Sequence, residues 1–150
     1  EGQQAGLSWI TVLKKRENYR QAFHQFDPIR VAAMDEADVE RLLQDAGIIR
    51  HRGKIQAVIG NARAFLAMEA NGEAFSDFVW SFVDNQPQIT HAATLAEIPT
   101  TTPASDALSK ALKKRGFKFV GSTICYSFMQ ACGLVNDHVT GCCCHPGRPA

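Results

Sequence analysis

Two stretches of this chain carry residue types that could do chemistry at the spacing in which they occur. In LKKRGFKFVGST, Lys113, Lys114, Arg115 and Lys118, with Lys110 just before them, surround a turn between Gly116 and Gly121. Gly121, Ser122 and Thr123 then open what reads as a second helix, whose first amides have no partner within it. The helix dipole adds positive potential there, so an anion fits, and among basic side chains a nucleic-acid phosphate is the natural candidate. An ordinary helix pair with a solvated lysine face is the competing reading. The second stretch is the tail NDHVTGCCCHPGRPA, where His138 and Cys142 are separated by three residues. That spacing suits two ligands of one tetrahedral zinc, which needs two more. Cys143, Cys144 or His145 could substitute for the missing pair, but adjacent residues rarely reach one tetrahedron without strain. Unligated thiols on a C-terminal tail are the alternative.

The elements that must position these residues are helical. Thr102 caps a helix beginning at Pro103, with Asp106 in its first turn and Leu108, Ala111 and Leu112 on one apolar face, ending at Gly116. Phe117, Phe119 and Val120 are expected to anchor the turn in the core. Upstream, Trp9, Ile10 and Leu13, then Tyr19, Ala22, Phe23 and Phe26, recur at helical spacing and predict two helices or one bent helix. Asp27 and Pro28 start a short helix through Met34, and Asp35 with Asp38 starts another that ends by Gly47. From Ile48 a long helix is expected to run to Gly72, followed by a short apolar one from Ser76 to Val83. Asp84 to Thr102 reads as a loop with a short helical turn. No alternating pattern predicts a strand, so the fold expected is all-α.

With 150 residues, 45% of them hydrophobic, the chain should form a single helical domain over 1–150, with its hairpin at about 103–133 and a Cys-rich tail. The formal charge of +1 hides basic clusters at Lys14 to Arg16, Arg50 to Lys54 and Lys110 to Lys118, so net charge decides nothing about nucleic acid. No run is long enough to span a membrane and no signal peptide opens the chain, which predicts a soluble, cytoplasmic protein. Five cysteines make a poor disulfide framework and fit a reducing compartment, with Cys125 and Cys132 as buried helix residues. His24 and His91 read as surface or helix-side residues, His51 in RHRGK as part of a DNA-facing or solvated basic patch, and Tyr126 as core. The chain begins at Glu1 in what reads as the middle of a structured region, so a missing N-terminal segment is expected.

Four segments in order, EGQQAGLSWITVLKKR, GIIRHRGKIQAVIGNARA, LKKRGFKFVGSTICYSFMQACGLVNDH and the CCC tail, resemble the 3-methyladenine DNA glycosylase I family of the helix-hairpin-helix superfamily. The resemblance spans essentially the whole chain. It implies a monofunctional DNA glycosylase that releases N3-methyladenine from alkylated double-stranded DNA, leaving free base and an abasic site. An enzyme of this kind must rotate the nucleotide out of the duplex into a pocket. Glu1 and Trp9 match the family's base-binding positions and take the catalytic role, because an indole and a carboxylate favour a cationic purine over neutral adenine. Leu7, between them, is the candidate wedge that fills the gap in the duplex. A solvated terminal carboxylate, a core aromatic and a core leucine are the competing readings of these three.

The resemblance also implies phosphate contacts at Gly121, Ser122, Thr123 and Lys118, and a structural zinc held by His138 and Cys142 with two further ligands upstream of Glu1. The first turn of the second helix reads Ser122, Thr123, Ile124, with no lysine to serve as Schiff-base nucleophile, so no strand-cutting lyase activity is expected. Where many relatives carry a catalytic aspartate, this chain has Gly141, Cys142 and Cys143, and Asp137 nearby does not align with that role. The lack is tolerable for a cationic base, which is already a good leaving group. A monomer is expected. The reading from another class is a helix-hairpin-helix DNA-binding module without chemistry.

Overall fold

The computed structural model describes residues 1–147; the last three residues of the expected 1–150 domain lie outside the described residues. A 3-10 turn at Gly2–Gln4 leads to α1 (Trp9–Leu13) and α2 (Arg16–Ala22), the two-helix form of the expectation. His24, Gln25 and Phe26 then all hold positive φ, at 53°, 60° and 59°, which turns the chain sharply after α2. Asp27 accepts from the amides of Ile29 and Arg30 and, with Pro28 in first position, starts α3 (Pro28–Ala32). This helix stops short of Met34, and Arg63 satisfies carbonyls at and beyond its end, donating to Ala32 O and Met34 O at 2.9 Å each. Asp35 and Asp38 form a reciprocal capping box on α4 (Glu36–Leu43).

The long helix starts later than Ile48. It is α5 (Arg52–Ala70), and its cap is His51, whose Nδ1 accepts from the Lys54 amide at 3.1 Å. The expected Ser76 to Val83 helix is α6 (Phe75–Trp80) followed by a 3-10 turn at Ser81–Val83. The next segment is not all loop. Its 3-10 turn falls at Leu95–Glu97, and β1 (Gln88–Ile89) pairs in parallel with a later strand. Thr102 and Ser105 box the start of α7 (Pro103–Lys114), Gly116 turns the chain at φ 89°, and α8 (Ser122–Ala131) follows. Beyond it, β2 (Val135–Asn136) completes the pairing, Gln88 opposite Val135. Two residues per strand leave no alternation for a sequence to display, and the architecture is helical as expected.

The core divides into two apolar clusters that share α5. Ile55 and Ile59, on its N-terminal half, pack with Tyr19, Phe23, Val31, Val39 and Leu42. Met68 near its end packs with Phe78, Leu108, Leu112, Phe117, Tyr126 and Met129. The long helix therefore fixes the opening helices relative to the α7–α8 hairpin, and the surface where the two clusters meet is where a site would form. Among the described residues no helix is long and apolar enough to cross a membrane.

Candidate functional site

Glu1 and Trp9 line one cleft of about 420 Å³ with Gln4, Ser127, Gln130 and Ala131, which joins the opening turn to the last turns of α8. That volume lies within the range of about 300–1,000 Å³ usual for small-molecule sites. Trp9 is 48% exposed, which removes the core-aromatic reading. Ser8, with extended backbone, precedes the indole and starts α1, so the ring projects from a helix N-terminus beside the cleft. Leu7 is also exposed and follows Gly6, whose φ of 75° makes the turn that carries the leucine outward. Glu1 and Trp9 thus line one cleft together, while Leu7, exposed two residues before the indole, is not among its lining residues.

What holds Glu1 in place was not legible beforehand. Lys54 on α5 is 4% exposed, and its Nζ donates to Gln3 O at 2.7 Å and Ala5 O at 2.6 Å. Burial keeps its pKa below the ordinary lysine value. Gln3 answers by donating its Nε2 to Lys54 O at 3.2 Å and accepting from the Tyr19 hydroxyl at 3.1 Å, while that hydroxyl accepts from the Ile49 amide at 3.1 Å. On the other side Gly2 lies against the hairpin, since a Cβ there would sit 3.0 Å from Phe119 O. The opening turn is thereby clamped between α5, α2 and the α7–α8 connection. The RHRGK run is not a basic face: His51 caps α5, Arg52 pairs with Glu36 and Glu40, and Lys54 is buried.

The hairpin anchor is narrower than expected. Phe117 is buried, but Phe119 and Val120 are half-buried, and Phe119 holds a strained φ of 56°. Asn61 on α5 fixes the exposed edge, accepting from the Lys118 amide at 2.8 Å and donating to Lys118 O at 3.0 Å. Ser109 Oγ donates to Val120 O at 2.6 Å. Gly121 caps α8 with no side chain bonded to the first amides, and a Cβ there would meet nothing within 4 Å. Lys110, Lys113, Lys114 and Lys118 are exposed around it. Arg115 leaves the group, because Glu73 binds its guanidinium while it lies 4.2 Å from the Phe78 ring centroid. The Ser122 hydroxyl is likewise engaged, donating to Asp106 and bonded to Ser105 Oγ at 2.8 Å. The groups left open at this end are therefore backbone amides and lysines.

In the tail, His138 Nδ1 lies 3.5 Å from Cys142 Sγ. Cys144 joins them, the three ligand atoms all lying within 4.8 Å of one another, although adjacent cysteines were not expected to converge. One imidazole and two thiols suit zinc in donor chemistry. Of the helix cysteines, Cys125 is buried and burial pushes its thiol up to about 11, which leaves it inert. Cys132 is exposed, contrary to expectation, because it falls at the C-terminal end of α8 where the helix turns out of the core. Tyr126 is buried as expected and binds Asp137.

Fold and site together define a helical protein in which α8 carries an open, lysine-rich start at one end and lines a cleft of about 420 Å³ at the other. The methyladenine glycosylase family model matches residues 1–145, and the chain belongs to that family. It is 84% identical over 148 residues to DNA-3-methyladenine glycosylase 1 of Escherichia coli (strain K12), covering 99% of this chain and 79% of that protein. A DNA-3-methyladenine glycosylase of Haemophilus influenzae is 60% identical over 144 residues, covering 96% of this chain and 78% of the relative. A crystal structure of 3-methyladenine DNA glycosylase I superposes with a TM-score of 0.95 at 84% identity over 97% of this chain and 80% of its own. The Staphylococcus aureus 3-methyladenine DNA glycosylase I, solved for the structural basis of 3-methyladenine recognition, gives 0.92 at 38% identity over 99% and 79%.

Proposed function

We propose that this chain is a monofunctional DNA glycosylase that hydrolyses the N-glycosidic bond of N3-methyladenine in alkylated double-stranded DNA. The observation that carries the reading is the shared cleft of Glu1 and half-exposed Trp9, an anionic and an electron-rich group facing one space of about 420 Å³, ample for a purine. The target nucleotide rotates out of the duplex to reach it, and Leu7 on its exposed turn fills the space left behind. The amides of Gly121, Ser122 and Thr123, with Lys118 beside them, hold the backbone phosphates.

The chemistry asks little of acid or base. N3-methylation makes the base a cation, so when the bond from N9 to C1′ breaks, its electron pair leaves with the base and neutralises it. Water adds at C1′, its proton passes to solvent, and an abasic sugar and free 3-methyladenine result. Glu1 and Trp9 favour the cationic base by charge and by the face of the indole. Their grip on the flipped base also sets its geometry for bond breaking. With Ser122 and Thr123 in the first turn of α8, no amine is placed for a Schiff base.

His138 and Cys142 would hold a structural zinc, with Cys144 as a third donor, and the ion would tie the tail together. The protein acts as a cytoplasmic monomer, one 1–150 domain of helix-hairpin-helix type around one DNA duplex. Incubating it with N-methylated duplex and measuring free 3-methyladenine tests the activity. Release supports the proposal, and DNA binding without release leaves only a DNA-binding module.

A further inference from the structure

Gln130 sits on the last turn of α8, between two clefts. It lines the larger, at about 420 Å³, of two spaces shared by Glu1 and Trp9, and also the neighbouring one bounded by Asp137; the smaller, at about 210 Å³ against α1 and α2, it does not reach. Its Nε2 donates to Asp137 Oδ2 at 2.8 Å. Asp137 is 9% exposed and accepts two further hydrogen bonds, from the Tyr126 hydroxyl and from Thr90 Oγ1. Burial, and then Asp137 itself, hold the Tyr126 pKa far above its ordinary value, so the phenol stays protonated and keeps donating. The short strand pairing fixes this hub, with Gln88 N donating to Leu134 O and Thr90 N to Asn136 O at 2.9 Å each.

The hub decides which way the Gln130 amide faces. A carboxylate only accepts, so Gln130 must turn its NH₂ group toward Asp137, and its planar amide then turns Oε1 away from that carboxylate. We infer that Gln130 is a specificity-determining residue of the base cleft, its Oε1 set by Asp137 to accept from the exocyclic amino group of the flipped purine. This deepens the function proposed above and rests on the Glu1 and Trp9 cleft being the base site. The consequence is a choice between purines that charge alone does not make. N3-methylated adenine carries a donor at its 6-position, whereas N3-methylated guanine carries an acceptor there, and an acceptor facing an acceptor is unpaired and repelled. Glu1 and Trp9 answer the positive charge common to both lesions, and Gln130 answers the amino group of one.

The test is single-turnover kcat/KM on duplexes carrying one N3-methyladenine or one N3-methylguanine, for the parent, Gln130→Met, Asp137→Asn and Glu1→Gln. Gln130 is exposed at the end of a helix, so Gln130→Met should fold as the parent does. It should lose about 3- to 10-fold on methyladenine and nothing on methylguanine. Asp137→Asn, which frees the amide to turn, should narrow the same ratio, and Glu1→Gln should lower both rates. An unchanged adenine-to-guanine ratio in Gln130→Met, with Glu1→Gln impaired, overturns this inference alone. Parent rates in Glu1→Gln overturn the cleft assignment on which it stands.

Discussion

Lys54 donates from its buried ammonium to the carbonyl oxygen of Ala5 at 2.6 Å, and so holds from beneath the turn that separates Glu1 from Leu7 and Trp9. The same ammonium reaches Gln3 O, and the two acceptors lie 51 and 49 residues from it in sequence. Replacing it with methionine leaves two part-buried carbonyls without their donor. Lys54→Met should destabilise the fold by about 1–3 kcal/mol in urea titration. Base release should fall further than the stability loss explains, because Glu1 is no longer set against the cleft. A Lys54→Met protein with parent stability and parent rate would show that the clamp is incidental.

The α7–α8 hairpin should act on DNA through charge and backbone, without reading sequence. Lys118→Ala should weaken binding evenly across unrelated duplexes and lower the slope of log affinity against log salt by about 0.9. Isothermal binding at several salt concentrations checks this. A slope equal to the parent's would remove Lys118 from the interface, leaving Asn61 merely as the brace of an exposed turn.

The ion pair of Glu73 with Arg115 ties the segment before α6 to the end of α7. The guanidinium, chiefly through its hydrogen bonds, holds the Glu73 carboxyl below the ordinary 4.5. A carboxyl with a lowered folded-state value contributes stability that is present above about 4.5 and lost as the pH falls through the folded value. Arg115→Met should therefore lower the melting temperature above about pH 4.5, pH 8 included, and flatten part of the acid limb below it, where the parent loses the same contribution. The effect should be modest, because both side chains are about a third exposed.

Zinc should bind in a ratio of one ion per chain and raise the melting temperature, and chelation should reverse the gain. His138→Ala and Cys142→Ser should each abolish that gain, which elemental analysis and thermal melts would follow. Cys144→Ser distinguishes a third ligand from a bystander. Retained stoichiometry in both His138→Ala and Cys142→Ser would place the ion elsewhere.

Local signals were legible in the sequence and long-range ones were not. Asp27 before Pro28, Asp35 with Asp38 and Thr102 before Pro103 announced their helices because each cap is satisfied within three residues. Helix ends and the late start of α5 escaped, since the group that satisfies the end of α3, Arg63, lies 31 residues away and a histidine cap resembles a basic patch until its ring is placed. Glu1, Leu7 and Trp9 were legible only through the family resemblance, because an exposed tryptophan and a core tryptophan have the same spacing on a helix. Lys54, Asn61 and Asp137 could not be found as parts of a site at all. Their partners lie 51, 57 and 47 residues away, and neither charge nor periodicity encodes such contacts. Cys144 is one of three possible substitutes in the sequence, and the general strain arguments against adjacent ligands that discount it do not foresee one particular turn.

If an anionic and an aromatic group gripping a cationic base suffice to expel it, comparing the parent with Glu1→Gln shows it most directly. Release of free 3-methyladenine from a single-lesion duplex should fall about 10- to 100-fold on losing the charge, with affinity for undamaged duplex within twofold of the parent's. Equal release by both proteins, or a loss of release matched by an equal loss of DNA affinity, would contradict it.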